Sequence, residues 1–432
     1  MPAHHGSSCR TRRPAPPSLL AGAVVALVAL TGCATSDGAG AARPAAPAPA
    51  AEVDGVSQVA PGSHGSSDAT NLPGNRRAVV TATGRVIVVT GEHASGLQLS
   101  WRDPGRDWRR TTTGDNAAGG VLEGTGTGDW TASIALAHDS AGEQAAWVVW
   151  AAATAGADQP VGLRRLTDLD SPFGPRMGPA VVVDAAPLGA YRADVAFEPA
   201  PDGSLRGCVL HSRQAAESRH ELVATWFTDL DTDQPQLEAQ TVLAEAPTST
   251  RSGSLVPTTQ GLRVVLRAAE GELLLLGRDA GSPLTDWWAG ARGPVLPTGA
   301  WPTGVALPSG EVITAAETDV EEGVSVVHRF SPDGRQVEEL LSEPGRRQPA
   351  LAAGAAGVWL VSVRHGDGAA VSRHWSPESG WGEDRVEVNP AETGPLRWPN
   401  PAREVDGRLR MVLTAPGDAD DRSSVWYVQR PV

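Results

Sequence analysis

One pattern recurs seven times along this chain and constrains its fold more than any other feature. Each copy reads as a β-hairpin: an apolar run, a turn that contains glycine, and a second, more apolar run. The turn glycines are 58, 61, 58, 49, 47 and 50 residues apart, at Gly84, Gly142, Gly203, Gly261, Gly310, Gly357 and Gly407. A repeat of about this length is typical of a four-stranded propeller blade.

Further strands follow each hairpin where a blade needs them. The second strands are predicted at residues 86–89, 146–149, 205–210, 262–266, 312–314, 358–361 and 409–413. The third strands are predicted at residues 97–101, 161–166, 222–227, 273–276, 324–330, 370–375 and 425–428. Six copies have a fourth strand, with examples at residues 181–183, 240–243, 337–341 and 385–388. No segment keeps a helical period for long, so the pattern predicts an all-β class.

The seventh copy lacks a fourth strand because the sequence ends at Val432. A closed ring needs a partner for that edge, since an unpaired strand edge invites aggregation. Val53, Val56 and Val59 form the nearest apolar alternation outside the seven copies. We therefore expect a seven-bladed β-propeller that is closed by its own N-terminal strand near residues 53–59. A six-bladed propeller is the alternative, because loop lengths differ between the first three copies and the last four.

The N-terminus has the order of a secretory signal. Three arginines precede an apolar run from Leu19 to Leu30, which at twelve residues is shorter than the roughly 20 needed to cross a bilayer. The segment Leu30-Thr31-Gly32-Cys33 resembles the lipobox of bacterial lipoproteins. That resemblance implies removal of residues 1–32, acylation of Cys33, and an extracytoplasmic protein that meets the cell membrane through its lipid anchor alone. An ordinary signal peptide with a chance cysteine is the alternative.

Composition divides the remaining chain in two. Residues 33–76 are rich in Ala, Pro, Gly and Ser, a composition that cannot bury a core, so they are expected to be a disordered stalk, or tether, that includes the closing strand. Residues 77–432 are expected to form the propeller. About twenty residues of tether reach at most roughly 70 Å. Of the three cysteines, Cys208 alone remains for the folded domain, so no internal disulfide is expected.

Charge and acidic motifs exclude several partners. The formal net charge of −14 and the absence of a basic stripe argue against nucleic acid. Asp229-Leu230-Asp231-Thr232-Asp233 has the alternating carboxylates of a calcium loop, but Gln234 and Gln240 replace its glycine and closing acid. Asp168-Leu169-Asp170 occupies the matching turn of the preceding copy, which indicates turn chemistry. We expect no metal, no cofactor and a monomer.

One position before each innermost strand carries large aromatic or cationic side chains in six of the seven copies. These ligand-binding candidates are Asn75, Trp130, Tyr191, Arg251, Trp301, Arg347 and Trp398. In a propeller they would surround the mouth of the central channel, where they suit stacking on sugar rings or binding of an anionic or carboxylate-bearing ligand. The alternative interpretation is that these aromatics pack the seams between blades.

Loops between second and third strands open on the same face as this position. They contribute Glu92, His93, Arg213, Asp319, Glu321, His365, Asp367, Asp418, Asp420 and Asp421. Carboxylates at a channel mouth suit acid/base work on a glycoside, although acidic loops are more often simply solvated.

The turn Ser100-Trp101-Arg102-Asp103-Pro104-Gly105-Arg106-Asp107-Trp108 resembles the Asp-box of sialidase-type propellers, Ser-x-Asp-x-Gly-x-x-Trp, with one extra residue before Asp103. Weaker echoes occur at residues 331–334 and 376–381. The resemblance implies kinship of fold only. Sialidases also carry an arginine trio, a late Tyr nucleophile and a Phe/Tyr-Arg-Ile-Pro segment, whereas this chain has only Tyr191 and Tyr427, and residues 75–78 read Asn-Arg-Arg-Ala. Sialidase activity is therefore not expected.

Two functions of different classes remain. The favoured one is a membrane-tethered binding or scaffold propeller that recognises a glycan, an envelope component or a protein through the aromatic and Arg-lined mouth. The alternative is a carbohydrate-active hydrolase or lyase of sialidase-like propeller type. Because function belongs to sites grafted onto folds, the fold alone does not separate them, and no catalytic residue is assigned.

Overall fold

The computed structural model describes residues 55–64, 76–92, 96–110, 130–140, 142–152, 161–186, 188–200, 202–217, 219–246, 253–297, 300–402, 404–405, 407–416 and 423–432. Residues Pro49–Val432 form one compact unit. Within the described ranges the strands fall into seven sheets, and the single α-helix, α1 (Pro390–Thr393), is one turn long. None of the described helical structure is long and apolar enough to cross a membrane. The lipidation site predicted at Cys33 lies outside the described residues.

The first strand of the chain, β1 (Gly55–His64), belongs to the last blade. Blade 1 contains β2 (Ala78–Val80), β3 (Val86–Glu92), β4 (Gly96–Arg102) and β5 (Arg109–Arg110). Blade 2 contains β6 (Trp130–His138), β7 (Gln144–Ala152), β8 (Val161–Thr167), β9 (Arg176–Met177) and β10 (Val181–Asp184). Blade 3 contains β11 (Ala190–Pro199), β12 (Leu205–Ala216), β13 (Arg219–Thr228) and β14 (Gln236–Ala246).

The remaining blades follow the same order, from the innermost strand outward. Blade 4 contains β15 (Gly253–Thr258), β16 (Gly261–Arg267), β17 (Glu272–Asp279) and β18 (Trp288–Val295). Blade 5 contains β19 (Thr303–Ala306), β20 (Val312–Asp319), β21 (Val324–Phe330) and β22 (Val337–Glu343). Blade 6 contains β23 (Arg346–Gly354), β24 (Gly357–Arg364), β25 (Ala370–Ser376), β26 (Gly380–Trp381) and β27 (Arg385–Val388). Blade 7 is built from β28 (Arg397–Pro401), β30 (Arg408–Ala415) and β31 (Ser423–Pro431), while β29 (Glu404–Val405) pairs with β23 of blade 6.

The ring closes through the N-terminal segment, as the sequence predicts. Strand β1 pairs antiparallel with β31 and becomes the outermost strand of blade 7, in the register Ser57 to Tyr427. Its Val59 is 2% exposed and packs in the apolar cluster between blades 7 and 1. The protein is therefore a seven-bladed β-propeller, and the six-bladed alternative is wrong.

The core consists of the seams between blades. Among the described residues, seven apolar clusters each join two neighbouring blades, including the one between the last blade and the first. Each fully buried Val or Leu in a seam contributes about 1.5–3 kcal/mol relative to an exposed one. Because each blade presents apolar side chains on both faces, no blade can bury its surface alone, and the closed ring is the unit of stability.

The seven predicted turn glycines all have left-handed backbones, with φ from +79° at Gly142 to +151° at Gly357. At two of these turns the neighbouring chain also leaves no room for a side chain. A Cβ at Gly357 would lie 2.0 Å from the carbonyl oxygen of Trp375, and one at Gly261 would lie 2.3 Å from that of Arg278. These turns therefore demand glycine because of both conformation and close approach.

Alternation of strand direction gives the ring two faces. Innermost strands begin at one face, which also carries the loops between second and third strands; we call it the mouth. The opposite face carries the tight hairpin turns and the turns between third and fourth strands; we call it the base. Strand β1 runs antiparallel to β31, so Gly55 lies at the base and His64 toward the mouth.

Acidic turns at the base join neighbouring blades. Asp170 Oδ1 accepts hydrogen bonds from the hydroxyls of Thr81 and Thr83, and Asp231 Oδ1 accepts one from the backbone N–H of Ser140. Two positions earlier in each turn, Asp168 and Asp229 have similar φ values of +50° and +58°. Turn chemistry thus accounts for the calcium-like spacing. In the part of the chain that the structure describes, no group of three or more His, Cys, Asp or Glu side chains is arranged to hold a metal ion.

Candidate functional site at the propeller mouth

Four of the seven predicted mouth positions have described side chains. Asn75 and Arg251 lie outside the described residues, and Trp130 is described only as the backbone that begins β6. Tyr191, Trp301, Arg347 and Trp398 are half-buried at the starts of innermost strands. By contrast, Trp147 on β7 and Trp226 on β13 are fully buried in seams between blades.

A cleft of about 470 Å³ opens at the mouth between blades 6 and 7. Arg347 and Trp398 both line it, together with His365 and Asp367 from a loop that the sequence also singled out. Asp367 pairs with Arg364 at 2.5 Å, and this hydrogen-bonded pairing lowers the pKa of the carboxyl to about 2. The carboxylate is therefore held ionised by its own loop.

The backbone of this cleft is strained at two equivalent points. Gln348 has φ +52° and Trp398 has φ +54°, and each directly precedes a proline, where an extended conformation is usual. Each also lies at an irregularity of its innermost strand. In blade 6 the residue in the position of Trp398 is therefore Gln348, one residue beyond the predicted Arg347. Non-glycine residues in this region cluster at functional sites.

A hydrogen-bonded chain leads from the interior to this strained pair. The backbone N–H of Trp398 donates to Gln348 Oε1 at 2.7 Å, and the backbone N–H of Gln348 donates to Glu317 Oε2 at 3.4 Å. Glu317 is 7% exposed, and burial raises its pKa to about 7 against the opposing charge of Arg347. The guanidinium of Arg347 donates to the carbonyl oxygens of Val320 and Glu321. Glu317 therefore supports the cleft from below, and Arg347 fixes the neighbouring loop.

Tyr191 belongs to a separate polar group at blade 3. Its hydroxyl donates to Gln214 Oε1 at 3.1 Å, and its ring meets that of His220 edge-on at 5.3 Å. His220 is 2% exposed, so it lies behind the tyrosine. The predicted loop residue Arg213 is adjacent and pairs with Glu221 at 2.8 Å.

Buried charge continues into the seam between blades 2 and 3. His211 Nε2 lies 2.9 Å from Asp184 Oδ2, and Arg213 donates to the same oxygen at 2.6 Å. Burial opposes ionisation of Asp184, but its contacts with His211 and Arg213 outweigh burial, so the pKa of the carboxyl falls well below its usual value. Burial lowers the pKa of His211. This group holds the seam beneath Tyr191.

Charged side chains from two non-adjacent blades form an ion pair at the ring axis. Arg76, directly before β2 of blade 1, reaches Asp194 on β11 of blade 3, with Nη2 and Oδ1 3.3 Å apart. Asp194 also accepts the backbone N–H groups of Val195 and Leu255. Blades 1 and 3 are not neighbours, so their innermost strands approach each other only across the channel. The contact therefore lies on the axis, at the mouth end of the innermost strands.

Two further guanidiniums are buried beside this pair. Arg192 is 1% exposed, and within the described residues none of its three guanidinium nitrogens has a hydrogen-bond partner. Burial lowers its pKa to about 10, while the charge of Asp194 acts in the opposite direction. Arg77 is fully buried, and burial together with the charge of Arg192 lowers its pKa to about 9. Both side chains stay cationic at neutral pH, and Arg192 shares the carboxylate of Asp194 with Arg76.

A cavity of about 230 Å³ continues along the innermost strands of blades 1, 2 and 7. Its lining includes Arg76 and Arg410, with apolar side chains such as Ile134 between them. The axis thus combines three arginines and the carboxylate of Asp194, and Arg76 also borders this space. Such a group suits a carboxylate or another oxoanion, since guanidinium nitrogens match its paired oxygens.

Sequence reasoning missed this axial cluster. It treated Arg76 and Arg77 only as a departure from the sialidase segment, and it singled out Tyr191 rather than Arg192. A usable signal was present: Arg192 and Asp194 alternate within a largely apolar innermost strand, where a charge needs a partner.

Comparisons with known proteins support the fold. No family model matches the chain, and no curated protein matches it in sequence. Among solved structures, the polysaccharide lyase Uly1 matches with a TM-score of 0.51 and 9% identity, over 83% of this chain and 90% of that one. A fucose-specific lectin from Aleuria aurantia matches with a TM-score of 0.47 and 12% identity, over 71% of this chain and 92% of that one.

Puromycin hydrolase matches with a TM-score of 0.47 and 18% identity, and 83% of this chain corresponds to 54% of that protein. At 9% identity the likeness to Uly1 shows the fold alone.

Proposed function

We propose that this protein is a membrane-tethered, extracytoplasmic propeller that binds an acidic glycan at its mouth. The observation that carries the proposal is the axial cluster, in which Arg192 is buried without a hydrogen-bond partner in the described chain, beside Arg77 and Arg76. A buried charge costs several kcal/mol unless it is paired and hydrogen-bonded. A carboxylate of the ligand supplies that pairing.

The mouth cleft gives the same ligand a second contact. Trp398 is half-buried there, held through Gln348, and an aromatic face suits the apolar side of a sugar ring. We infer that the axial arginines bind the acidic group of a glycan and that the cleft between blades 6 and 7 selects its neighbouring sugars.

A glycan array tests this proposal with the compact unit Pro49–Val432. We expect binding to uronate-containing glycans and at least tenfold weaker binding to neutral ones. Arg192→Met should abolish the difference, and Trp398→Ala should weaken binding while keeping the preference for acid. The matched control is Arg335→Met, at an arginine that is 85% exposed on the base. Equal binding of acidic and neutral glycans would contradict the proposal.

A second candidate function is elimination at an acidic glycan. The pair of Tyr191 and His220, beside Arg213, is the observation that favours it. Here one of the two side chains removes the proton α to the carboxylate of a uronate, a C4–C5 double bond forms as the C4–O bond breaks, and the other side chain protonates the leaving oxygen. Incubation with polyuronates, followed by ultraviolet absorbance of the unsaturated product, tests it. An unchanged absorbance excludes elimination and leaves binding as the function.

The tether carries its own test. We infer that lipid on Cys33 holds the protein at the membrane surface, where several acyl chains at about 0.8 kcal/mol per buried CH₂ provide stable anchoring. Cys33→Ala should lose globomycin-sensitive processing and partitioning into detergent. Unchanged partitioning of the variant would contradict a lipid anchor on Cys33.

A further inference from the structure

Arginines are concentrated at one side of the base, on the turn that follows β4. Arg106 and Arg109 are exposed, and Arg102 and Arg110 are half-buried on either side of them. The chain as a whole carries a net charge of −14, so four arginines within nine residues depart from its average. Two acids share the segment: Asp103 is engaged by Arg85 at 2.7 Å, and Asp107 is exposed.

The most exposed large apolar side chain among the described residues lies beside these arginines. Phe173 is 86% exposed on the base turn of blade 2. Arg109 donates to the carbonyl oxygen of the preceding residue, Pro172, at 3.2 Å. Gly174 packs against the ring of Trp101 with no room for a Cβ, which fixes the turn. Phe173 is thus held outward, next to the guanidiniums.

This surface adjoins the point where the N-terminal segment enters the fold. Ser57 Oγ on β1 accepts hydrogen bonds from Arg102 and from Trp108 Nε1, each at 3.0 Å. Arg102 stacks on the rings of both Trp108 and Tyr427, which ties the turn after β4 to blade 7. Gly55 begins β1 at the same face. A cleft of about 430 Å³ lined by Ser57, Arg102, Arg106 and Arg110 runs along this junction.

We propose that Arg102, Arg106, Arg109, Arg110 and Phe173 form a membrane-docking patch that binds the anionic headgroups of a phospholipid surface. The guanidiniums contact headgroup phosphates, and Phe173 enters the interface between headgroups and acyl chains. This inference extends the proposed tether, because the 21 residues between Cys33 and Gly55 span at most roughly 75 Å and bring the base within reach of the bilayer. The propeller then lies base down, with its glycan-binding mouth pointing away from the membrane.

Co-sedimentation with vesicles tests the patch independently of the lipid anchor. The protein is Pro49–Val432, which lacks Cys33, and the vesicles contain either phosphatidylcholine alone or phosphatidylcholine with about one third phosphatidylglycerol. We expect binding to the anionic vesicles only, and a loss of binding in high salt because exposed charges are then screened. Each arginine near the surface contributes about 1 kcal/mol, so Arg106→Ser with Arg109→Ser should weaken binding about 30-fold.

Three comparisons keep the result specific. Arg106→Lys with Arg109→Lys keeps the charge and should retain binding, whereas Phe173→Ser should reduce it several-fold. The control Arg219→Ser with Arg292→Ser removes the same charge from exposed arginines outside the base turns and should bind like the unaltered protein. Absent binding to anionic vesicles, or equal losses in the patch and control variants, would overturn the patch. The lipid-anchor proposal is tested separately, by measuring whether the Cys33→Ala protein still partitions into detergent.

Discussion

Buried arginines occur both at the base seams and at the axis of the mouth, and they are satisfied very differently. At the base, Arg278 is fully buried and donates to Glu198 and to the carbonyl oxygens of Ser282 and Pro283. It also stacks on Trp226, with its guanidinium carbon 4.7 Å from the ring centroid. At the axis, Arg192 is equally buried but has no hydrogen-bond partner in the described chain.

We interpret this difference as the difference between a structural role for Arg278 and the ligand-binding role proposed for Arg192. Folding alone selects partners for a buried guanidinium, because an unpaired one destabilises the native state. Arg85 follows this rule at another base seam, where it binds Asp103 and the carbonyl oxygens of Leu169 and Ser171. Arg192 does not, which is expected where a bound ligand completes the site.

The largest effect is expected at the satisfied arginine. Arg278→Met leaves the buried carboxylate of Glu198 without its main partner, and breaking such a pair costs about 3–5 kcal/mol. Urea unfolding of Pro49–Val432 should therefore show a stability loss of that size. Arg335→Met, at an exposed arginine, serves as the control and should change stability by less than about 0.5 kcal/mol. A stability loss below about 1 kcal/mol for Arg278→Met would show that Arg278 resembles the axial arginines and would contradict the proposed difference between them.

The next effect concerns Glu317, beneath the mouth cleft. Burial raises its pKa from 4.5 to about 7, so the folded state holds its proton more tightly than the unfolded state. The contribution of this group to stability is complete below about pH 4.5 and is lost as pH rises to about 7, by at most roughly 3 kcal/mol at 1.36 kcal/mol per pKa unit.

Glu317→Gln has no such titration. Between pH 5 and 8 the unfolding free energy of Glu317→Gln should fall less, or rise more, than that of the unaltered protein. The difference between the two changes should be at most roughly 3 kcal/mol. Parallel pH profiles of the two proteins would show that Glu317 titrates normally and does not support the cleft in its protonated form.

The smallest effect on stability is expected at the axis. Arg192→Met removes both the desolvation cost of a buried charge and its opposing attraction to Asp194, so the two effects offset and stability should change by less than about 1 kcal/mol. Affinity for an acidic glycan should nevertheless fall at least tenfold. A stability loss as large as that of Arg278→Met would show that Arg192 is structural and would remove the main support for the proposed site.

Sequence patterning predicted the blades but not the axial site, for a physical reason. Strand periodicity and turn glycines such as Gly84 and Gly407 are local signals, and each predicted second and third strand overlaps an observed one. The closing strand was also predictable, since an unpaired edge in the last blade required a partner. It extends to His64, beyond the predicted residues 53–59.

The site depends on contacts that local patterns do not encode. Arg76 and Asp194 are 118 residues apart and meet only because the ring closes. In blade 6 the structure places Gln348, and not the predicted Arg347, in the position of Trp398.

Isothermal titration of Pro49–Val432 with a uronate oligosaccharide and with its methyl ester tests the central claim most directly. The two ligands share shape and sugar sequence and differ in the negative charge that the axial arginines are proposed to bind. The account predicts at least tenfold tighter binding of the free acid, and loss of that preference in Arg192→Met. Equal affinities for acid and ester, or an unchanged preference in the variant, would contradict it.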